Sequence, residues 1–144
     1  MTISEGVTAI GSSVFTYCQS LVSVTIPNSV TSIGISAFSY SKLTSVVIPD
    51  GVTVLSRYMF SHCDNLTEVT LPESLREIEN DVFSGCSALT RIVISRNVTK
   101  IGSNAFLNCD NITVYCEAEV RPVNWAWNWT DSDRPVVWGY NEEL

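Results

Sequence analysis

The only histidine of the chain, His62, lies directly before Cys63. An imidazole beside a thiol is the pairing that activates a cysteine nucleophile. Neighbouring residues of an extended or turn segment point in different directions, so we do not expect His62 and Cys63 to form a dyad. The motifs of other catalytic centres, such as G-x-S-x-G, a phosphate-binding loop or H-E-x-x-H, do not occur. The sequence therefore predicts a protein that is not an enzyme and that needs no cofactor.

The tryptophans are a second group with binding chemistry, and all four lie between residues 123 and 140. Trp125, Trp127 and Trp129 occupy every second position, so in an extended chain they would point to one face, roughly 7 Å apart. Trp138 follows later, and Pro122 makes a long helix through this segment unfavourable. The rings predict either an aromatic cap over an exposed apolar end of the fold or an aromatic platform for a sugar or a partner chain.

Acidic residues are concentrated in one short stretch. Glu73, Glu77, Glu79 and Asp81 lie close together, and Arg76 interrupts them. We interpret this stretch as a solvated turn edge. A weak calcium site is the alternative, but the segment lacks the aspartate and glycine spacing of a dedicated calcium loop. We therefore expect no metal site.

Length and charge limit the classes of function. At 144 residues the chain has the size of a single domain. Its net charge is −7 and only eight residues are Lys or Arg, which argues against nucleic acid as a partner. No apolar run approaches the roughly 18 residues of a membrane span, so membrane insertion is not expected. The first residues, MTISEGVTAIG, lack the basic segment and apolar run of a signal peptide.

The phenylalanines define a repeat that organises most of the chain. Their spacings are 23, 22, 23 and 23 residues, so each holds the same position in a unit of roughly 23 residues. The second unit is one residue short between Phe38 and Leu43. The five units contain Phe15, Phe38, Phe60, Phe83 and Phe106.

Each of the first four units carries one β-strand signal, LVSVTI, LTSVVI, LTEVTL or LTRIVI. Because every coil runs in the same direction, successive strands must pair in parallel about 4.8 Å apart. The piece between the isoleucine of VTxIG and the phenylalanine is too short for more than a helical turn. The expected inward residues are Leu21, Val24, Ile26, Leu43, Val46, Ile48, Leu66, Val69, Leu71, Leu89, Ile92 and Ile94. The expected opposite wall is Val30, Ile33, Val52, Leu55, Leu75, Ile78, Val98 and Ile101.

The cysteines follow the same repeat. Four of them lie three positions after a phenylalanine, so stacked coils would place them in a ladder with Ser41 at the missing step. Adjacent coils put β-carbons near 4.8 Å apart, beyond the usual disulfide separation, so we expect small buried hydrophobic residues. No spacing matches a zinc-binding C-x-x-C pair. A bridge between Cys109 and Cys116 stays open. The ladder would consist of Cys18, Cys63, Cys86 and Cys109.

The units share an L-x-x-V-x-I strand, a P-x-x-V-T-x-I-G turn and an A-F-x-x-C element. In these motifs the chain resembles the BspA-type leucine-rich repeats of bacterial cell-surface proteins, over about residues 3–120. The resemblance implies an α/β leucine-rich repeat solenoid of five coils, with a parallel β-sheet on the concave face, short helical turns and short convex strands. Residues 1–120 would be the solenoid and residues 121–144 a Trp-rich capping segment packed on the last repeat.

The resemblance also implies an extracellular or cell-surface module used for adhesion and protein binding rather than catalysis. The candidate binding surface is the exposed face of the strand ladder, which would offer a flat, mostly neutral surface to a protein or glycan. Cross-strand pairs of such residues also stabilise a sheet that binds nothing, so a structural spacer of a larger surface protein is the alternative. The outward residues are Ser23, Ser45, Glu68 and Arg91 in one row and Thr25, Val47, Thr70 and Val93 in the next.

At the amino end, residues 2–7 align with residues 25–30, so the chain starts at the end of a strand. The first complete coil would then have an uncovered face. From this alignment we expect either a fragment of a longer solenoid or a symmetric homodimer through that coil.

Overall fold

The computed structural model describes residues 1–143, which contain ten short β-strands joined by turns and no helix. The strands are β1 (Ala9–Ile10), β2 (Ser32–Ile33), β3 (Ser45–Val47), β4 (Val54–Leu55), β5 (Glu68–Thr70), β6 (Glu77–Ile78), β7 (Arg91–Ile94), β8 (Lys100–Ile101), β9 (Thr113–Cys116) and β10 (Val136–Trp138).

The strands form two walls of a solenoid. The long-strand wall contains β3, β5, β7, β9 and β10, and the short-strand wall contains the two-residue strands β1, β2, β4, β6 and β8. Every strand pair is parallel and joins equivalent positions of successive repeats, as in Ile92 opposite Val114 and Ile78 opposite Ile101. The predicted parallel solenoid is confirmed, and its concave sheet corresponds to the long-strand wall.

The apolar core lies between the two walls. Strand residues alternate between exposed and buried, as in β5, where Glu68 and Thr70 are exposed and Val69 is buried. All eight residues expected on the opposite wall are buried. The expected inward set is buried too, except for Val24 and Leu71, which are half-buried and pack against the core. A period of two in the sequence therefore predicts which side chains face the core.

A column of phenylalanine rings runs through this core from coil to coil. Neighbouring ring centroids lie 5.3 to 5.6 Å apart, and neighbouring planes are tilted by 13° or less. The rings from Phe38 to Phe106 are fully buried, whereas Phe15 is half-buried. This column explains the strict spacing of the phenylalanines, because an insertion would move a ring out of the stack.

The expected helical turns around each phenylalanine are not formed. The residues two before and two after each phenylalanine all have positive φ, between 55° and 79°. An α-helix needs φ near −63°, so a left-handed residue on each side of the phenylalanine prevents helical hydrogen bonding. The left-handed residues are Ser13, Tyr17, Ser36, Tyr40, Tyr58, His62, Asp81, Gly85, Asn104 and Asn108.

These turns bond instead to the following coil. Phe60 donates its backbone N–H to the carbonyl of Val82 at 2.9 Å, and His62 donates to Ser84 at 2.7 Å. The same pattern recurs in the other coils, for example from Phe83 to Ala105 at 2.8 Å. We call this stack of hydrogen-bonded turns the turn column.

The tail adds a sixth turn to the five units found in the sequence. Trp125 forms a parallel bridge with Ile101 and so extends the short-strand wall. The last strand, β10, pairs with β9 and extends the long-strand wall. The ring of Trp129 lies 5.8 Å from that of Phe106, at the end of the phenylalanine column. Tryptophans thus occupy core positions that aliphatic and phenylalanine residues hold in earlier coils.

The phenylalanine column generates a stability prediction. Replacing Phe83 by alanine should lower the free energy of unfolding by about 3–5 kcal/mol, because a buried ring with neighbours on both sides leaves a cavity. Phe15→Ala is the matched control and should cost clearly less, because Phe15 is half-buried. Urea unfolding followed by circular dichroism measures both. A loss below about 1 kcal/mol for Phe83→Ala, or equal losses for both variants, would contradict the role of the column.

Candidate functional site

His62 and Cys63 do not converge in the structure. The Cys63 thiol is fully buried and donates to the carbonyl of Phe38 at 3.1 Å. His62 is exposed, and its ring stacks on that of Tyr40 with centroids 4.7 Å apart. Burial also raises the pKa of Cys63, which opposes thiolate formation. The arrangement is that of a core thiol beside a surface ring.

The cysteine ladder has a structural role that the sequence did not reveal. Besides Cys63, Cys86 donates its thiol to the carbonyl of Phe60 at 3.2 Å, and Cys109 donates to that of Phe83 at 3.1 Å. Each thiol therefore bonds to the phenylalanine carbonyl of the preceding coil. All five cysteines are free, so the bridge considered between Cys109 and Cys116 is not formed. Burial raises the pKa of both Cys109 and Cys116 to about 12.

This burial predicts how the thiols react. In native protein at pH 8, a thiol-specific reagent should label Cys18 rapidly and leave the four buried thiols unreacted, because labelling needs an accessible thiolate. In denaturant all five should react. A Cys18→Ser variant is the control and should be almost unlabelled while folded. Rapid labelling of that variant would show that the ladder is not buried in solution.

The tryptophans do not share one face, so that expectation is wrong. Trp125 and Trp129 are 2% and 4% exposed, whereas Trp127 is 86% exposed. The cause is a turn: Trp129 donates its backbone N–H to the carbonyl of Ala126 at 3.2 Å, so the chain is not extended through this segment. Trp127 lies at the tip of that turn and points to solvent.

The other three tryptophans form one cluster on the last coil. The Trp125 and Trp129 ring centroids lie 5.1 Å apart, and half-buried Trp138 lies within 6.2 Å of both. Trp125 also donates its indole N–H to the carbonyl of Val98 at 3.1 Å. These packed rings have the geometry of a cap and leave Trp127 as the single exposed ring.

Tryptophan fluorescence can separate the cluster from the exposed ring. Acrylamide should quench only a minor, red-shifted part of the emission, and Trp127→Phe should remove that part, because the other rings are packed. Trp129→Phe is the control and should leave the quenchable part in place. If all the emission is quenched equally in the native protein, the tail does not pack as described.

The eight candidate binding residues all lie on the outer face of the long-strand wall or its extension into the first coil. Seven are exposed and Val93 is half-buried. Four of them, Glu68, Thr70, Arg91 and Val93, line one cavity. The other four lie on the preceding coils outside it: Ser23, Thr25, Ser45 and Val47.

That cavity, which we call the groove, lies where the long-strand wall is interrupted. No backbone hydrogen bond joins β5 to β7 within residues 1–143, although β3 bonds to β5 and β7 bonds to β9. The groove has a volume of about 510 Å³. Residues 67–71 and 90–93 form its floor. Its remaining lining residues are Glu73, Ser95, Glu117, Tyr140 and Glu142.

Arg91 is held in place beside the groove by two tyrosines. Its guanidinium carbon lies 4.2 Å from the centre of the Tyr115 ring, and Nη2 donates to the Tyr140 hydroxyl at 2.7 Å. This hydrogen bond raises the pKa of Arg91, so the side chain stays charged. Tyr140 itself donates its backbone N–H to the carbonyl of Cys116 at 2.9 Å. The sequence gave no sign of this contact, because Arg91 and Tyr140 lie 49 residues apart.

The groove is acidic. Four glutamates and one arginine are its charged residues, and the arginine contacts tyrosines rather than a carboxylate. Within the described chain, Glu68, Glu73 and Glu142 form no ion pair. Glu117 accepts the backbone N–H of Arg96 at 3.0 Å.

The acidic stretch identified in the sequence is divided between different contacts. Glu77 pairs with Lys100 at 2.8 Å, and Glu79 accepts the backbone N–H of Arg57 at 2.9 Å. Glu73 lies on the other side, in the groove. Among residues 1–143 no three His, Cys, Asp or Glu side chains are grouped so that they could hold a metal ion.

Parallel coils of about 23 residues, with one strand and one buried phenylalanine each, define a leucine-rich repeat solenoid. The family model described as the BspA type leucine rich repeat region matches residues 1–113 with six copies. The chain belongs to this BspA-type leucine-rich repeat family.

Three solved bacterial structures are similar to the chain. A leucine rich cell surface protein from Faecalibacterium prausnitzii is 29% identical with a TM-score of 0.78, over 99% of this chain and 32% of that protein. A leucine-rich repeat protein from Bacteroides ovatus is 26% identical with a TM-score of 0.75, over 95% and 44%. The T. pallidum leucine rich repeat protein is 34% identical with a TM-score of 0.76, over 80% and 57%.

The chain thus spans between about a third and somewhat more than half of the length of these structures. Comparison with curated proteins gives no significant match. In the part of the chain that the structure describes, no helix is long and apolar enough to cross a membrane.

Proposed function

We propose that this chain is a non-catalytic binding module of a bacterial surface-type protein, and that a protein or glycan ligand docks on its long-strand wall at the groove. The observation that carries the proposal is the interruption between β5 and β7. An unbroken ladder uses its inner backbone groups between strands, whereas an interrupted one leaves such groups beside a cavity, where a ligand can bond to them.

The surroundings of the groove support binding without large rearrangement. Its floor strands are fixed from below by the buried residues Val69 and Ile92. Tyr140 is fixed at its side by the Arg91 contact. A site on rigid elements loses little conformational entropy when a ligand binds. A structural spacer, the alternative function, would need neither the interruption nor the groove.

The proposal includes an extracellular location and no reaction. The similar protein from Faecalibacterium prausnitzii is named a cell surface protein, and this supports the same location here. The absence of a role in catalysis is supported by the separation of His62 from the buried thiol of Cys63. It is supported further by the repeats, each of which spends its apolar residues on the common core.

A bulky substitution in the groove tests the proposal. Ligands selected by the native chain from a glycan array and a displayed peptide library should bind Thr70→Tyr at least about tenfold more weakly, because the larger ring fills the groove. Tyrosine is well tolerated in strands, so the fold should be kept. Thr53→Tyr, at an exposed residue next to the short-strand wall, is the matched control and should bind normally. Equal binding by both variants, or no ligand at all for the native chain, would favour the spacer.

A further inference from the structure

We infer that the ligand of the groove is an extended polypeptide segment carrying lysine or arginine side chains. This inference rests on the proposed function and specifies the partner of the same site. Two independent features carry it: the charge of the groove and the open backbone at its floor.

The charge selects a cationic partner. Glu68, Glu73 and Glu142 bring three carboxylates without an ion pair to one cavity. The only cation in the lining, Arg91, is occupied by Tyr115 and Tyr140. An anionic partner would meet uncompensated repulsion here, whereas a cationic one would be attracted to the groove and oriented in it. The net charge of −7 adds attraction over longer distances.

The distribution of the carboxylates selects a polypeptide over a small amine. Glu68 lies on β5, Glu73 follows that strand, and Glu142 lies in the tail beyond β10. The β5 strand and the β9 strand are two coil spacings apart, or about 10 Å. One ammonium group cannot contact carboxylates so far apart. An extended peptide places alternate side chains about 7 Å apart on one face, so several of its cations can be bound at once.

The floor of the groove favours a peptide backbone in addition. The facing edges of β5 and β7 are not hydrogen-bonded to each other. Backbone N–H and C=O groups on such edges are the partners that extended peptides use when they bind to sheets. A neutral glycan could use the same groups but would gain nothing from the three glutamates.

The test uses the full chain and a fluorescein-labelled peptide of about nine residues that alternates lysine and serine. Binding is followed by fluorescence anisotropy at about 20 mM and 200 mM NaCl, because attraction between exposed charges weakens as the Debye length shortens. The native chain should bind this peptide, bind it more weakly at high salt, and not bind the same peptide with glutamate in place of lysine.

Two triple variants separate the groove from the general charge of the protein. Glu68→Gln/Glu73→Gln/Glu142→Gln should bind the lysine peptide about tenfold more weakly, as expected for the loss of three exposed charge pairs. Glu5→Gln/Asp64→Asn/Asp133→Asn removes the same charge from exposed residues outside the groove and should bind within about twofold of the native chain. Unchanged thermal unfolding of both variants confirms that they are folded.

Equal weakening by the two triple variants would overturn the inference, since binding would then depend only on net charge. Failure of the native chain to bind the lysine peptide would overturn it as well. The proposed function is judged separately, by whether any selected ligand is lost in Thr70→Tyr. A neutral glycan lost in that variant, together with no binding of the lysine peptide, would uphold the groove and reject the cationic partner.

Discussion

The stacking of each coil on the next is the interaction on which the structure depends. No coil of 23 residues can bury both of its apolar faces alone, and the phenylalanine rings become fully buried only between neighbours, as Phe60 is between Phe38 and Phe83. The same stacking pairs the strands of both walls, connects the turn column and brings each buried thiol to a carbonyl of the preceding coil. The repeat length is constant because all four contacts must align together.

The sequence predicts those parts of the structure that recur in every unit. Both walls and the phenylalanine column follow from a period of two within strands and of about 23 between coils. The turns were predicted wrongly, because residues such as Tyr40 and His62 carry no local sign that they adopt positive φ. Their left-handed conformation is imposed by hydrogen bonds to the next coil, which a single unit does not contain.

The candidate site was predicted in part, and the division has a physical cause. Glu68, Thr70, Arg91 and Val93 were expected on the outer face because alternation decides which way a strand residue points. The interruption beside them was not expected, because hydrogen bonding between two strands depends on the geometry of whole coils. The contact of Arg91 with Tyr140 was missed for a related reason: the tail folds back over the wall, and no repeat describes the tail. The site therefore arises where the regular solenoid becomes irregular.

The turn column has an electrostatic consequence of its own. The N–H groups of each phenylalanine and its left-handed neighbours point towards the following coil, as from Tyr40 to Ser61 and from His62 to Ser84. Peptide dipoles aligned in this way add along the solenoid axis, as they do along an α-helix, with the positive end towards the last coil. At that end Asn108 donates its N–H to the Asp131 carboxylate at 3.1 Å, the contact that an acidic N-cap makes with a helix. A fold whose described residues include no helix thus carries a macrodipole along its axis, across the direction in which its strands run, and a carboxylate neutralises the positive end.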